Sequence, residues 1–194
     1  MEATETVTKD IFTKIKVLDF PKIFQCIDAP REMDENLQRH SLNVAFTNGV
    51  IGQWLKLPEP MIKKLVCAGL VHDIGKTKEL SLFPQNDYTN DGQLLGHIMI
   101  GAEMVHDAAQ KIDGFPQELE NQLKHCILAH HGELEYGSPK KPAMVEAVAL
   151  NLADNADAKM ETLTELFDAA PAGNEWLGYN RFFESNIRRT GDFS

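Results

Sequence analysis

The sequence is poor in cysteine. Cys26, Cys67 and Cys126 are scattered over 194 residues with no Cys-x-x-Cys spacing, which excludes a disulfide framework and a thiolate-bound zinc site. Cys67 and Cys126 stand in apolar, helix-patterned surroundings and read as small core residues. Basic charge is scarce too: 19 Lys and Arg against 29 Asp and Glu give a formal charge of −10 and a pI near 5.1. Such a chain repels bare nucleic acid at long range, so no stable binding of a long strand is expected from it alone. Any phosphate-bearing substrate must be held by local cations or metal ions. No apolar run reaches the length of a membrane span, and the opening Met-Glu-Ala-Thr-Glu-Thr has neither a basic start nor an apolar signal core. The expectation is a cytoplasmic protein with no membrane contact. Internal repeats, low-complexity segments and convincing strand-like alternation are also missing.

What is present is ordinary for a globular protein: 43% hydrophobic and 25% charged residues. The length suits one domain with a substantial core. We expect a single domain over 1–194, with residues 1–9 loose and 171–194 an irregular C-terminal extension of short helix. Between Asp10 and Ile27, apolar residues recur irregularly around Pro21 and suggest two short helices. Asp34 is a plausible N-cap for a long helix whose one face carries Leu37, Ser41, Val44, Asn48, Ile51 and Leu55, with His40 on the same side. Pro58 and Pro60 stop it and start the next, Pro60 to Asp73. The stretch Lys78 to Asp91 reads as a loop. Asp91 can cap a helix to about Ile112 that contains His97. Pro116 fits the first turn of a helix reaching His130-His131, and Pro142 opens a long pattern, Met144 through Phe167, carrying Asp154 and Asp157. These patterns make an all-α helical bundle.

The chain is organised around Val71-His72-Asp73-Ile74-Gly75-Lys76. The run before it, Met61 to Leu70, is almost entirely apolar, so its helix belongs in the middle of the core and fixes two polar side chains at its end. Alone, His72-Asp73 reads as an internally hydrogen-bonded pair. Other His and Asp residues, however, fall in an order that can close around it: His40 before, then His97, His130-His131 and Asp154. Imidazole and carboxylate donors without thiolates suit Mn²⁺, Fe²⁺, Co²⁺, Ni²⁺ or Zn²⁺, and bundle cores are where separate helices assemble such sites. His106 and His125 fall outside the pattern and read as surface or packing residues. Asp157, one turn after Asp154, competes with it as a ligand; Asp154 is preferred, with Asp157 lining the cavity or contacting Lys76.

This order resembles the HD superfamily of metal-dependent phosphohydrolases, and within it the HD domain of the bacterial YhaM-type 3′→5′ exoribonucleases. The segments that carry the resemblance are His40-Ser-Leu-Asn-Val-Ala, His72-Asp-Ile-Gly-Lys, Asp87-Tyr-Thr with Gly92-Gln-Leu-Leu-Gly-His97-Ile, His130-His-Gly-Glu-Leu-Glu-Tyr-Gly-Ser-Pro-Lys and Asp154-Asn-Ala-Asp-Ala-Lys-Met. One departure is large. The exoribonucleases carry an N-terminal OB-fold for single strands; the chain has no room for one before Asp10, and neither a basic groove nor an aromatic stacking platform is evident.

The resemblance implies an HD-domain helical bundle with two divalent metal ions, Mn²⁺ favoured. His40, His72, Asp73 and Asp154 would hold one ion. Asp73 would bridge to a second, held by His97, His130 and His131. Two ions about 3.5–4 Å apart activate a shared hydroxide for in-line attack on phosphorus. Asp73 and Lys76 are then the catalytic candidates, Lys76 as a cation for the phosphoryl oxygens; the competing reading of Lys76 is a plain salt-bridge partner. Lys140 and Arg181 are weaker candidates for grasping phosphate, and a solvated loop is the competing reading of Lys140. The expected partner is a small phosphorylated substrate, a nucleotide or short oligonucleotide. Two other functions stay open: a nuclease module that needs a partner for strand binding, and a metal-bound sensor or scaffold without turnover. The sequence also leaves the oligomeric state open, a homo-oligomer included.

Overall fold

The computed structural model describes residues 34–81, 87–171 and 173–189. The two short helices expected between Asp10 and Ile27, and the loose residues 1–9, lie outside these ranges. The described residues fall into two compact units, divided after Asn155.

Six helices are present among the described residues: α1 Glu35–Trp54, α2 Glu59–Val71, the single turn α3 Lys76–Glu79, α4 Asn90–Gln110, α5 Gln117–Ala129 and α6 Val145–Ala169. The all-α expectation holds. Asp34 caps α1 as expected, its Oδ1 accepting from Leu37 N at 2.8 Å, which satisfies one of the amides that have no partner inside the helix. Pro60 sits in the first turn of α2, where its missing N–H costs nothing.

In the first unit α2 and α5 are central because each is apolar on two sides. Cys67 and Val71 of α2 meet Leu123 and Ile127 of α5 and Val105 of α4 in one cluster. Ala68 of α2, and Cys126 and Ala129 of α5, face the other way, toward Val44 of α1 and Leu150 of α6. Each fully buried Val, Leu or Ile contributes about 1.5–3 kcal/mol, so the ends of these two helices are held firmly. The backbones of α1 and α2 touch: a Cβ on Gly69 would lie 2.7 Å from Ala45 N and Cα. Asn48 Nδ2 donates to Leu65 O across the same contact, at 3.0 Å.

Three local expectations are corrected. The segment after Lys76 is not all loop: Lys76–Glu79 forms a helical turn, and Leu80 pairs with Tyr88 in an antiparallel bridge. The cap of α4 is Thr89 rather than Asp91. Thr89 takes the extended conformation and its Oγ1 accepts from Gly92 N at 2.9 Å, which leaves Asp91 in the first turn, where its charge still suits the helix dipole. Finally, α4 is broken at Gly96, whose φ of 72° and ψ of 158° lie outside the helical region.

The second unit contains a β-hairpin where short irregular helix is expected. β1 Trp176–Asn180 pairs antiparallel with β2 Ser185–Arg188, with a register irregularity between Trp176 and Gly178. Trp176, Tyr179 and Ile187 favour a pleated surface. Asn180 Oδ1 closes the turn by accepting from Phe182 N and Phe183 N at 2.9 and 3.3 Å, while Gly178 at φ 88° allows the bulge.

Candidate metal centre

The two central helices end in the same way. His72 is the C-cap of α2 and His130 the C-cap of α5. His72 Nδ1 donates to Gly69 O at 2.8 Å, and His130 Nδ1 to Ile127 O at 2.7 Å, each reaching back three residues. A carbonyl can only accept, so the proton sits on Nδ1 and the Nε2 lone pair is left to face inward. The rings lie 5.1 Å apart. Both stand at helix C-termini, where the partial negative charge of the last carbonyls favours a cation.

Two more histidines are tied back through Nδ1. His131 bonds Tyr136 O at 2.8 Å, and His97 bonds Glu79 Oε1 at 3.2 Å. His40 enters from α1, Asp154 from α6, and Asp73 follows His72 directly. His40 Nε2 is 3.1 Å from His72 Nε2, 3.1 Å from Asp154 Oδ1 and 3.5 Å from Asp73 Oδ2. His72 Nε2 is 3.5 Å from the same Asp73 oxygen and 3.6 Å from Asp154 Oδ1. The other oxygen of Asp73 faces elsewhere: Oδ1 lies 3.5 Å from His97 Nε2 and 3.5 Å from His130 Nε2. His131 completes that side, its ring 5.3 Å from His97 and 4.2 Å from His130. The seven side chains expected from sequence are thus brought together as two groups that meet at one carboxylate.

The donors fit a divalent ion. Asp73 Oδ1, His97 Nε2 and His130 Nε2 are buried with no hydrogen-bond partner, and a buried polar atom left unpaired costs about 1–3 kcal/mol. His97, His130 and His131 form one set of nitrogens near enough to share an ion, and His40, His72 and Asp73 another. All are nitrogen or oxygen, the set that divalent first-row metals accept.

The field in the site calls for positive charge. Burial pushes the Asp73 carboxyl up, but His72, His130 and Lys76 outweigh it and hold it well below the usual carboxylate range. Burial likewise works against Asp154, and its bonds to His40 and His72 bring it below that range. His72 is buried, which opposes its charged form, yet Asp73 and Asp154 raise it above an ordinary histidine. On the other side burial wins: His97 and His131 are both pushed down. Lys76 Nζ donates to Asp73 Oδ2 at 2.5 Å, so an ammonium touches the carboxylate both groups share.

The remaining candidates are placed as follows. Lys140 is exposed in the loop before α6, and Arg181 lies in the turn of the hairpin in the second unit. Lys141 pairs with Glu133 at 2.5 Å. His106 bonds Glu120 at 2.7 Å, and His125 Nε2 accepts from Ala143 N at 3.0 Å, both in keeping with packing roles. Sequence reasoning missed Glu79, because the stretch around it read as loop. It also missed Asn151, whose Nδ2 donates to His130 O at 2.7 Å and packs where a Cβ on Gly132 would intrude, 2.5 Å away.

The family model for the HD domain matches residues 37–159, a span holding every side chain of both groups. The chain belongs to the HD-domain family. This HD-domain chain is similar to the 3′-5′ exoribonuclease YhaM of Shouchella clausii, 39% identical over 120 residues, 61% of this chain and 37% of that protein. It is 41% identical over 112 residues to the 3′-5′ exoribonuclease YhaM of Bacillus subtilis, and 42% to that of Bacillus velezensis, in each case 57% of this chain and 35% of the relative. The matched segment therefore spans little more than a third of these relatives. No solved structure matches the HD-domain chain. Among its described residues no helix is long and apolar enough to cross a membrane.

Proposed function

We propose that this HD-domain chain is a divalent-metal-dependent phosphohydrolase that cleaves a phosphodiester, with a short oligonucleotide or nucleotide as substrate. The observation that supports this best is the division of Asp73, with Oδ2 turned to His40 and His72 and Oδ1 to His97 and His130. In this reading His40, His72, Asp73 and Asp154 hold one ion, and Asp73, His97, His130 and His131 the other. When bound, such a pair supplies Lewis acidity and a water acidic enough to attack phosphorus near neutral pH. The chain's own residues do the rest. The Nδ1 anchors fix each ring so that Nε2 faces inward without further ordering. Lys76, beside Asp73, offers a cation to the phosphoryl oxygens as charge develops on them. Lys140 is the proposed contact to a more distant phosphate.

The relatives, which are named as 3′-5′ exoribonucleases, support this choice of substrate class. The formal charge of −10 favours a short strand, or a strand held by a partner, over unaided binding of a long one. The test is hydrolysis by the purified chain with added Mn²⁺ of bis-p-nitrophenyl phosphate and of a 5′-labelled short oligoribonucleotide. Shortening from the 3′ end is the expected result. Bound metal with neither substrate cleaved would leave the sensor or scaffold reading instead.

A further inference from the structure

We propose that Glu79 is the positioning residue that sets the strength of the second ion group, Asp73 Oδ1 with His97, His130 and His131, separately from the first; this rests on the two-ion reading above. Of the four histidines anchored through Nδ1, three are held by backbone carbonyls, those of Gly69, Ile127 and Tyr136. His97 alone among these four is held by a side chain, and that side chain is a carboxylate. A carbonyl fixes the tautomer. A carboxylate fixes it and also pushes electron density through the ring, making Nε2 a stronger donor.

The fold is built around this contact. Glu79 Oε1 takes two bonds from the same residue, from His97 N at 2.9 Å and His97 Nδ1 at 3.2 Å. The backbone N–H is free to point there because Gly96, at φ 72° and ψ 158°, interrupts α4 one residue earlier. On its other side His97 is pressed against the turn after α2, since a Cβ on Gly75 would lie 2.0 Å from His97 O. Glu79 is fixed in turn: its O accepts from Thr89 N at 2.9 Å, and a Cβ on Gly92 would meet that oxygen at 2.2 Å. Two glycines at steric contact and a third at positive φ hold one carboxylate against one imidazole.

The test uses the full chain titrated with Mn²⁺ and followed by calorimetry and electron paramagnetic resonance. The wild type should bind two ions and show a spin-coupled spectrum. Glu79→Gln keeps the shape and the accepting oxygen but loses the charge. It should weaken the second ion about 10–100-fold, leave the first within about twofold, and return a six-line mononuclear signal at two equivalents. Thr89→Ala disturbs the same junction without touching the carboxylate and should leave both affinities in place. In the metal-free wild type, ¹⁵N shifts should show His97 protonated at Nδ1. Equal weakening of both ions in Glu79→Gln, or the same loss in Thr89→Ala, would mean that Glu79 merely supports the fold. A His97 protonated at Nε2 overturns the proposal however the variants behave. A wild type that binds one ion fails the two-ion reading itself, and this inference with it.

Discussion

His40 and His72 hold their Nε2 atoms 3.1 Å apart. Two imidazole lone pairs repel at that distance, so either one Nε2 carries a proton and donates it to the other, or a metal ion takes both lone pairs. The two compete. His72 is raised by Asp73 and Asp154 against the effect of burial, whereas His97 and His131 are lowered by burial. A raised group keeps its proton to higher pH, and that proton must leave before the nitrogen can bind an ion. On acidification through the ordinary histidine range, about pH 6.5, the ion beside His40 and His72 should therefore be released first and the ion beside His97 and His131 at lower pH. Mn²⁺ release followed against pH should show two steps, with His40→Ala removing the earlier one. Loss of the earlier step in His131→Ala instead would reverse the assignment.

Asp73 turns one oxygen to each group. Asp73→Ala should bind neither ion and reduce hydrolysis to background, whereas Asp154→Ala should lose the first ion and retain the second. Metal analysis after desalting gives the stoichiometry. Turnover in a metal-stripped Asp73→Ala protein would remove the mechanism altogether.

Lys76 contacts the shared carboxylate without belonging to either donor set. If its ammonium meets the phosphoryl oxygens, Lys76→Ala should keep both ions and lower kcat about 10²–10³-fold, the size of effect seen when one oriented transition-state donor is removed. A change confined to metal affinity would make it a salt-bridge partner of Asp73 and nothing more.

Gly75 has a negative φ of −63°, so its conformation does not require glycine. Space does. A methyl group there would lie 2.0 Å from His97 O and 2.7 Å from Gly101 N, and neither backbone atom can rotate away. Gly75→Ala should cost about 1–3 kcal/mol or more and lower Tm by several degrees. An unchanged melting temperature in the metal-free protein would contradict the close contact.

Sequence alone makes the helical frame and the seven clustered side chains legible, for a physical reason. Met61 to Leu70 is apolar almost throughout because α2 is buried on two sides, and such a run announces where His72 and Asp73 must stand. Asp34 is legible because an N-cap acts within three residues. What escapes is whatever depends on contacts distant in sequence. Thr89 rather than Asp91 caps α4 because the chain is already pinned by Thr89 N to Glu79 O, at 2.9 Å. Gly96 reads as an ordinary glycine in a helix until His97 is seen turned toward Glu79. The hairpin escapes because its strands are only five and four residues long and the irregularity between Trp176 and Gly178 breaks the period-two pattern that would mark a strand.

His40 and Asp154, 3.1 Å apart in the folded protein, come from opposite ends of the first compact unit. During synthesis His40 leaves the ribosome long before Asp154 is made, so the pocket stays open on that side until the last helix docks. A half-made chain therefore lacks the complete cage. Of the two donor groups, the one that contains Asp154 is thus the last to be completed as the chain is made.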